Sequence, residues 1–138
     1  MDERLKKGVD LSIPNLPDME IAAAETAEAV GKFIGLDKDK TQEVKMSLIE
    51  ACINAFEHSK GEGQVHVHFQ MEEDALIVQV TDTGGGFDLQ EAKQQSEERR
   101  HRGESKRGWG LQIMEELMDE VRIESTDEGT VITMVKKR

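Results

Sequence analysis

The chain has 138 residues, carries 18 Lys and Arg against 29 Asp and Glu for a formal net charge of −11, and is 36% hydrophobic and 34% charged. That length suits one domain, 1–138, with a core large enough to need no disulfide; the acidity argues against general nucleic-acid binding, and a single cysteine, Cys52, excludes an internal disulfide or a CxxC metal pair. The start MDERLKKGVD has no apolar leader segment and no run of about 18 apolar residues follows, so a cytoplasmic protein with no membrane association is expected.

Net acidity with few aromatics raises the question of disorder, and the periodicity answers it. Val9, Leu11 and Ile13 alternate with polar residues, a short edge strand closed by Pro14 and Pro17. Asp18 is placed to N-cap a helix from Met19 to Ile34, with Ala23, Ala27, Val30 and Ile34 on one stripe and Gly35 ending it. A second helix is expected over Lys38 to His58. Its buried side is Val44, Leu48, Cys52, Ala55 and Phe56, and Glu43, Ser47, Glu50, Asn54 and Glu57 fall in a narrow polar wedge opposite.

After Gly61 and Gly63, Val65, Val67, Phe69 and Met71 alternate with polar residues, as do Leu76, Val78 and Val80, and the Glu72-Glu73-Asp74 link makes them an antiparallel hairpin. Asp82 keeps the parity of the buried residues and so faces the core, where a carboxylate needs partners. Residues 88–107 lose apolar periodicity and read as a long loop with the cationic run Arg99-Arg100-His101-Arg102. Leu111, Met114, Leu117 and Met118 mark a third helix, and Val121 to Ser125 with Thr130 to Lys136 form a closing hairpin. These elements predict an α+β two-layer sandwich: a mixed, mainly antiparallel sheet of about five strands with three helices on one face. Gln64, His66, His68 and Gln70 then line the other face, open to solvent or a partner subunit.

Three segments carry chemistry. Glu50 and Asn54, at i and i+4, address one ligand: a carboxylate to orient a nucleophile and an amide oxygen suited to Mg²⁺. Taken alone, that stretch reads better as a solvated helix face. Asp82-Thr83-Gly84-Gly85-Gly86 ends a strand with glycines that allow close backbone approach to a flat ligand, while a buried carboxylate can accept from an exocyclic amine. An ordinary turn is the competing reading. Gly108-Trp109-Gly110 opens a helix whose first N–H groups favour anions, and Arg102, Lys106 and Arg107 just before it can neutralise phosphates. For Arg99 and Arg100 a solvated loop is the better reading. His66 and His68 show no third metal ligand at suitable spacing, and Cys52 reads as core.

In this order, ExxxNA on a helix, DxGxG at a strand end, a polar loop and GxG opening a helix, the chain resembles the ATP-binding domain of gyrase-type topoisomerases, histidine kinases and heat-shock chaperone ATPases, the GHKL or Bergerat fold. Glu-Ala-Cys-Ile-Asn-Ala at 50–55 and the run from Gly110 through Met118 to Val121 most resemble the bacterial anti-sigma-factor serine/threonine kinases. The resemblance implies ATP and Mg²⁺ as cofactors. It implies Glu50 as general base or acceptor-orienting group and Asn54 as Mg²⁺ ligand. Asp82 would receive the adenine amine, Gly84 and Gly86 would shape the adenine pocket, and Gly108 and Gly110 would meet phosphates. Thr130 would help to hold adenine, and residues 88–107 would form the ATP lid. The γ-phosphate cation is Lys106 or Arg107, and the sequence leaves both open. His58 reads as a capping or solvent residue.

The implied function is phosphorylation of an antagonist protein by a kinase that also binds a sigma factor. The alternatives are a non-catalytic ATP-sensing module and a histidine-kinase-type catalytic domain acting in trans, the latter weakened because no dimerisation helix or phosphoacceptor region is seen. Relatives of this kind often form homodimers, and composition leaves the stoichiometry open.

Overall fold

The computed structural model describes residues 8–58, 64–82, 110–126 and 129–138. In chain order these form β1 (Gly8–Pro14), α1 (Met19–Ile34), α2 (Lys38–His58), β2 (Gln64–Met71), β3 (Ala75–Asp82), α3 (Gly110–Leu117), β4 (Glu120–Thr126) and β5 (Gly129–Lys137). The strands make one sheet in the order β1-β2-β3-β5-β4, and all four pairings are antiparallel. β1 therefore lies at an edge, as its proline-closed sequence requires. The last strand inserts between β3 and β4, so the two hairpins of the sequence are stitched together by a long-range pairing.

Alternation decides the layers. Val65, Val67 and Phe69 of β2, Leu76, Val78 and Val80 of β3, and Ile132 and Met134 of β5 are buried on one face, with α1 and α2 packed on it. The opposite face carries His66, His68 and Gln70, but it is less polar than β2 suggests: Ile77 pairs with Val135 and Thr81 with Val131 there, all half-buried.

The ends of the helices are set locally. Gly35 ends α1 at φ 76, a left-handed conformation that suits glycine, and its N–H donates to the Lys32 carbonyl. Asp18 is at the start of α1, but it adopts φ 69 and its side chain makes no capping hydrogen bond, so the expected N-cap chemistry is absent. Asp37 does that work for α2, its Oδ1 accepting the Lys40 N–H at 2.8 Å. α1 and α2 approach closely at Gly31, where an added Cβ would lie 2.9 Å from Thr41 Oγ1.

Candidate functional site

The middle of the polar wedge of α2 does not face open solvent, although Glu57 at its end is exposed. α3 packs on α2, and Ser47 is fully buried while Glu50 and Asn54 are half-buried. At the first residue of α3, a Cβ added to Gly110 would lie 2.9 Å from Glu50 Oε2, 3.4 Å from Asn54 Nδ2 and 3.8 Å from Asn54 Oδ1. Only a residue without a side chain lets the helix start come this close. The first and third chemical segments of the sequence are thus one place.

The second joins them through the sheet. β3 and β5 pair so that Asp82 is the direct cross-strand neighbour of Thr130, and both are buried, at 3% and 4% exposure. A small cavity lined by Asn54, Ala55, Val80, Asp82, Thr130 and Ile132 links this pair to the wedge. Among the described residues Thr130 Oγ1 has no hydrogen-bond partner, although it is buried. A buried hydroxyl left in that state costs roughly 1–3 kcal/mol, which a polar ligand in the cavity removes. A carboxylate beside a hydroxyl offers acceptors and a donor to a planar heterocycle carrying an amine.

Gly84, Gly86, Lys106, Arg107 and Gly108, and the expected lid over 88–107, lie outside the described residues, as does Trp109. Of the other residues weighed from the sequence, Cys52 is buried in the core, where burial, with a smaller contribution from the charge of Glu20, pushes its thiol up to about 12. His66 and His68 gain a neighbour the sequence did not suggest: Asp10 on β1 accepts from His66 Nε2 at 3.1 Å and His68 Nδ1 at 2.7 Å through the same oxygen. The hydrogen bond that His68 donates to Asp10, assisted by the one to Gln70, raises the His68 pKa above its ordinary value. Among the described residues no group of three or more His, Cys, Asp or Glu side chains is arranged to hold a metal.

Lys136 escaped the sequence reading. It is 6% exposed; its Nζ donates to the Leu117 carbonyl at the end of α3 at 2.5 Å and lies 3.4 Å from Glu43 Oε1 on α2. The signal was present, since Lys136 shares the parity of Ile132 and Met134. A cation at a helix C-terminus is favoured by the helix dipole, so α3 is held at its far end while its first residue meets Glu50 and Asn54.

Residues 13–136 match the histidine kinase-like ATPase domain family. The chain belongs to that family. Its relatives include the serine-protein kinase RsbW of Bacillus licheniformis, 31% identical over 136 residues that cover 93% of this chain and 84% of the relative, and RsbW of Bacillus subtilis strain 168, 31% identical over 135 residues with the same coverage. Kinship at this level makes the chain an ATP-using protein serine/threonine kinase by family. The fold is shared with the RsbU and RsbW domains of Rv1364c from Mycobacterium tuberculosis at TM-score 0.70 and 17% identity, covering 95% of this chain and 32% of that one. It is shared also with a chain of the SiaB-SiaC complex from Pseudomonas aeruginosa at TM-score 0.61 and 11% identity, covering 97% and 92%. Among the described residues no helix of this family member is long and apolar enough to cross a membrane.

Proposed function

We propose that this chain is a Mg-ATP-dependent serine/threonine kinase of the anti-sigma-factor type, which phosphorylates an antagonist protein and regulates transcription through a sigma factor. The observation that carries the proposal is the convergence of Gly110 on Glu50 and Asn54 beside the Asp82–Thr130 cavity. The RsbW relatives are named serine-protein kinases, and the SiaB-SiaC neighbour was solved as a complex of two proteins. Both fit a kinase whose substrate is a protein.

Each residue then has a role. Asp82 accepts from the exocyclic amine of adenine and the Thr130 hydroxyl completes the recognition, which satisfies its buried oxygen. The N–H groups opening α3 face the phosphates, where the helix dipole favours negative charge. Glu50 accepts the proton of the attacking serine hydroxyl as its oxygen bonds to the γ-phosphorus and ADP departs. Asn54 would supply an amide oxygen to Mg²⁺, a hard ion that takes oxygen ligands. When bound, Mg²⁺ neutralises charge on the transferring phosphoryl group. Lys106 or Arg107 supplies the cation at the γ-phosphate, and 88–107 folds over the nucleotide as the lid of a single ATP-binding unit. Because such a reaction draws on cytosolic ATP, the protein acts in the cytoplasm.

Calorimetric titration with ATP, with and without Mg²⁺, tests the pocket. Asp82→Asn should weaken binding at least tenfold, and Asn54→Ala should remove the Mg²⁺ dependence. Glu50→Ala should bind ATP as the wild type does and transfer no phosphate to the acceptor protein; ATP recovered intact from wild type with a bound partner would replace the kinase by an ATP sensor.

A further inference from the structure

α3 has eight residues, and its own sequence does little to hold its C-terminal end. The last turn carries Glu115 and Glu116 and no basic residue, the wrong charge for that end of a helix dipole. Its first turn carries no acidic residue, which leaves the charge of the N-terminus free for an anion. Its buried row is Leu111, Met114 and, one residue past the helix, Met118. Apolar packing is non-directional, so a single row lets a two-turn helix rock by a fraction of an ångström at little cost. A polar contact has to fix it.

That contact comes from β5. Lys136, buried and carried on the core face of its strand, donates from Nζ to the Leu117 carbonyl at 2.5 Å and lies 3.4 Å from Glu43 Oε1 on α2. It supplies the cation that the last turn of α3 lacks. Its backbone is held against the exit of the same helix, because the Asp119 N–H donates to the Val135 carbonyl at 2.9 Å and Asp119 Oδ2 accepts the Lys137 N–H at 2.6 Å.

The spacing carries the consequence. Leu117 lies seven residues from Gly110, and Glu43 seven from Glu50, about 10 Å along each helix. α2 and α3 therefore run antiparallel and in step: they meet at Gly110 with Glu50 and Asn54, and again at Leu117 with Glu43 through Lys136. Ser47 lies between these two meetings, fully buried, and among the described residues its Oγ makes no hydrogen bond, so it adds no tie there. A helix this short moves as one piece, and releasing one end displaces the other.

We propose that Lys136 is a positioning residue for phosphoryl transfer, which sets the opening N–H groups of α3 against Glu50 and Asn54 by bridging the far end of that helix to Glu43. It acts through the helix, from the end opposite Gly110. The consequence for ATP rests on the kinase reading above, while the mechanical link between the two ends of α3 does not.

The test is amide NMR on the full-length protein. Lys136→Met removes the charge and keeps an unbranched apolar chain in the same space, and Glu43, whose side chain is 35% exposed, can turn to water, so the variant should fold. Lys137→Met removes the same charge from the exposed neighbouring residue and serves as the control. Without nucleotide, the Gly110 and Leu111 resonances should move further in Lys136→Met than in Lys137→Met. Titrations read on the same spectra should show Mg-ATP bound about fivefold or more weakly by Lys136→Met, and adenosine bound within about twofold of wild type, because only the phosphates meet α3. Lys137→Met should keep both affinities within about twofold. Unmoved Gly110 and Leu111 resonances would overturn the proposal. Equal losses of ATP and adenosine would also overturn it, since a general loosening of the fold weakens both ligands alike, and so would an equal loss of ATP in Lys137→Met, since net charge would then be the cause. Wild type that binds neither ligand would overturn the kinase reading and the role for ATP with it, and the Gly110 shift would still decide the link.

Discussion

Gly110→Ala isolates the contact on which the site depends. The added Cβ would lie 2.9 Å from Glu50 Oε2, a separation that real Cβ atoms essentially never show, and 3.4 Å from Asn54 Nδ2, which is tolerable. Gly110 sits in the first turn of α3 and has no left-handed φ to protect, so the backbone accepts alanine. Helix propensity favours alanine by at most about 1 kcal/mol, offset by moving a carboxylate out of its place. The net stability change should fall within about 1 kcal/mol of zero. Activity should respond differently, because the atom that must yield is the one assigned to take the proton. A misplacement of about 1 Å costs roughly 100-fold in rate, so a shift of about half that costs roughly tenfold, or about 1.4 kcal/mol in the barrier. Urea unfolding and transfer of labelled γ-phosphate to the acceptor protein read the two quantities. Wild-type transfer with wild-type stability would refute the argument, since either α3 would not abut Glu50 or the Glu50 carboxylate would not act in the reaction. A double-mutant cycle sharpens the test: with Glu50→Asp the carboxylate retracts, and the effect of alanine on stability should change measurably.

Leu48, fully buried at the centre of α2, should cost about 2–5 kcal/mol as Leu48→Ala, and a loss under 1 kcal/mol by urea unfolding would contradict its place in the core. His68 should titrate above its ordinary 6.5 in a histidine proton-shift titration by NMR and return toward that value in Asp10→Asn; an unchanged midpoint would sink the pairing with Asp10. The sign follows from both partners. The raised His68 contributes stability below 6.5 that is lost as pH rises through its folded value, whereas Asp10, lowered by its hydrogen bonds to His68 and His66, contributes above 3.8 and loses this in acid. The pair is therefore complete between those two pH values. Cys52, with its thiol pushed up to about 12, carries only about one part in 10⁴ of thiolate at pH 8 and should resist a thiolate-selective disulfide reagent until urea unfolds the chain; rapid native-state labelling would show the thiol to be accessible.

What the sequence determined by itself is local. Period-two alternation at 64–71 and 75–82 placed β2, β3 and the buried face, including Asp82, because a strand's side chains alternate whatever lies beside it. The helical stripe at 44–56 placed α2 with Glu50 and Asn54 on one side for the same reason, and Gly35 ended α1 through its own backbone freedom. Asp18 marks the limit of local signals: it is a good capping residue type, but the turn around it, tied through Asn15 to Phe56, is left-handed at Asp18 and its side chain makes no capping hydrogen bond. The tertiary structure alone decided the meetings between distant segments. β5 inserts between β3 and β4, which sets Thr130 against Asp82, and α3 packs on α2, which sets Gly110 against Glu50 and turns a wedge that read as a solvated face into the wall of a site. The β1–β2 register brings Asp10 to His66 and His68, and the packing of α3 and β5 against α2 buries Lys136 between Glu43 and the end of α3. Such pairings follow from which elements share a core, a property of the whole chain's burial that no window of neighbouring residues contains.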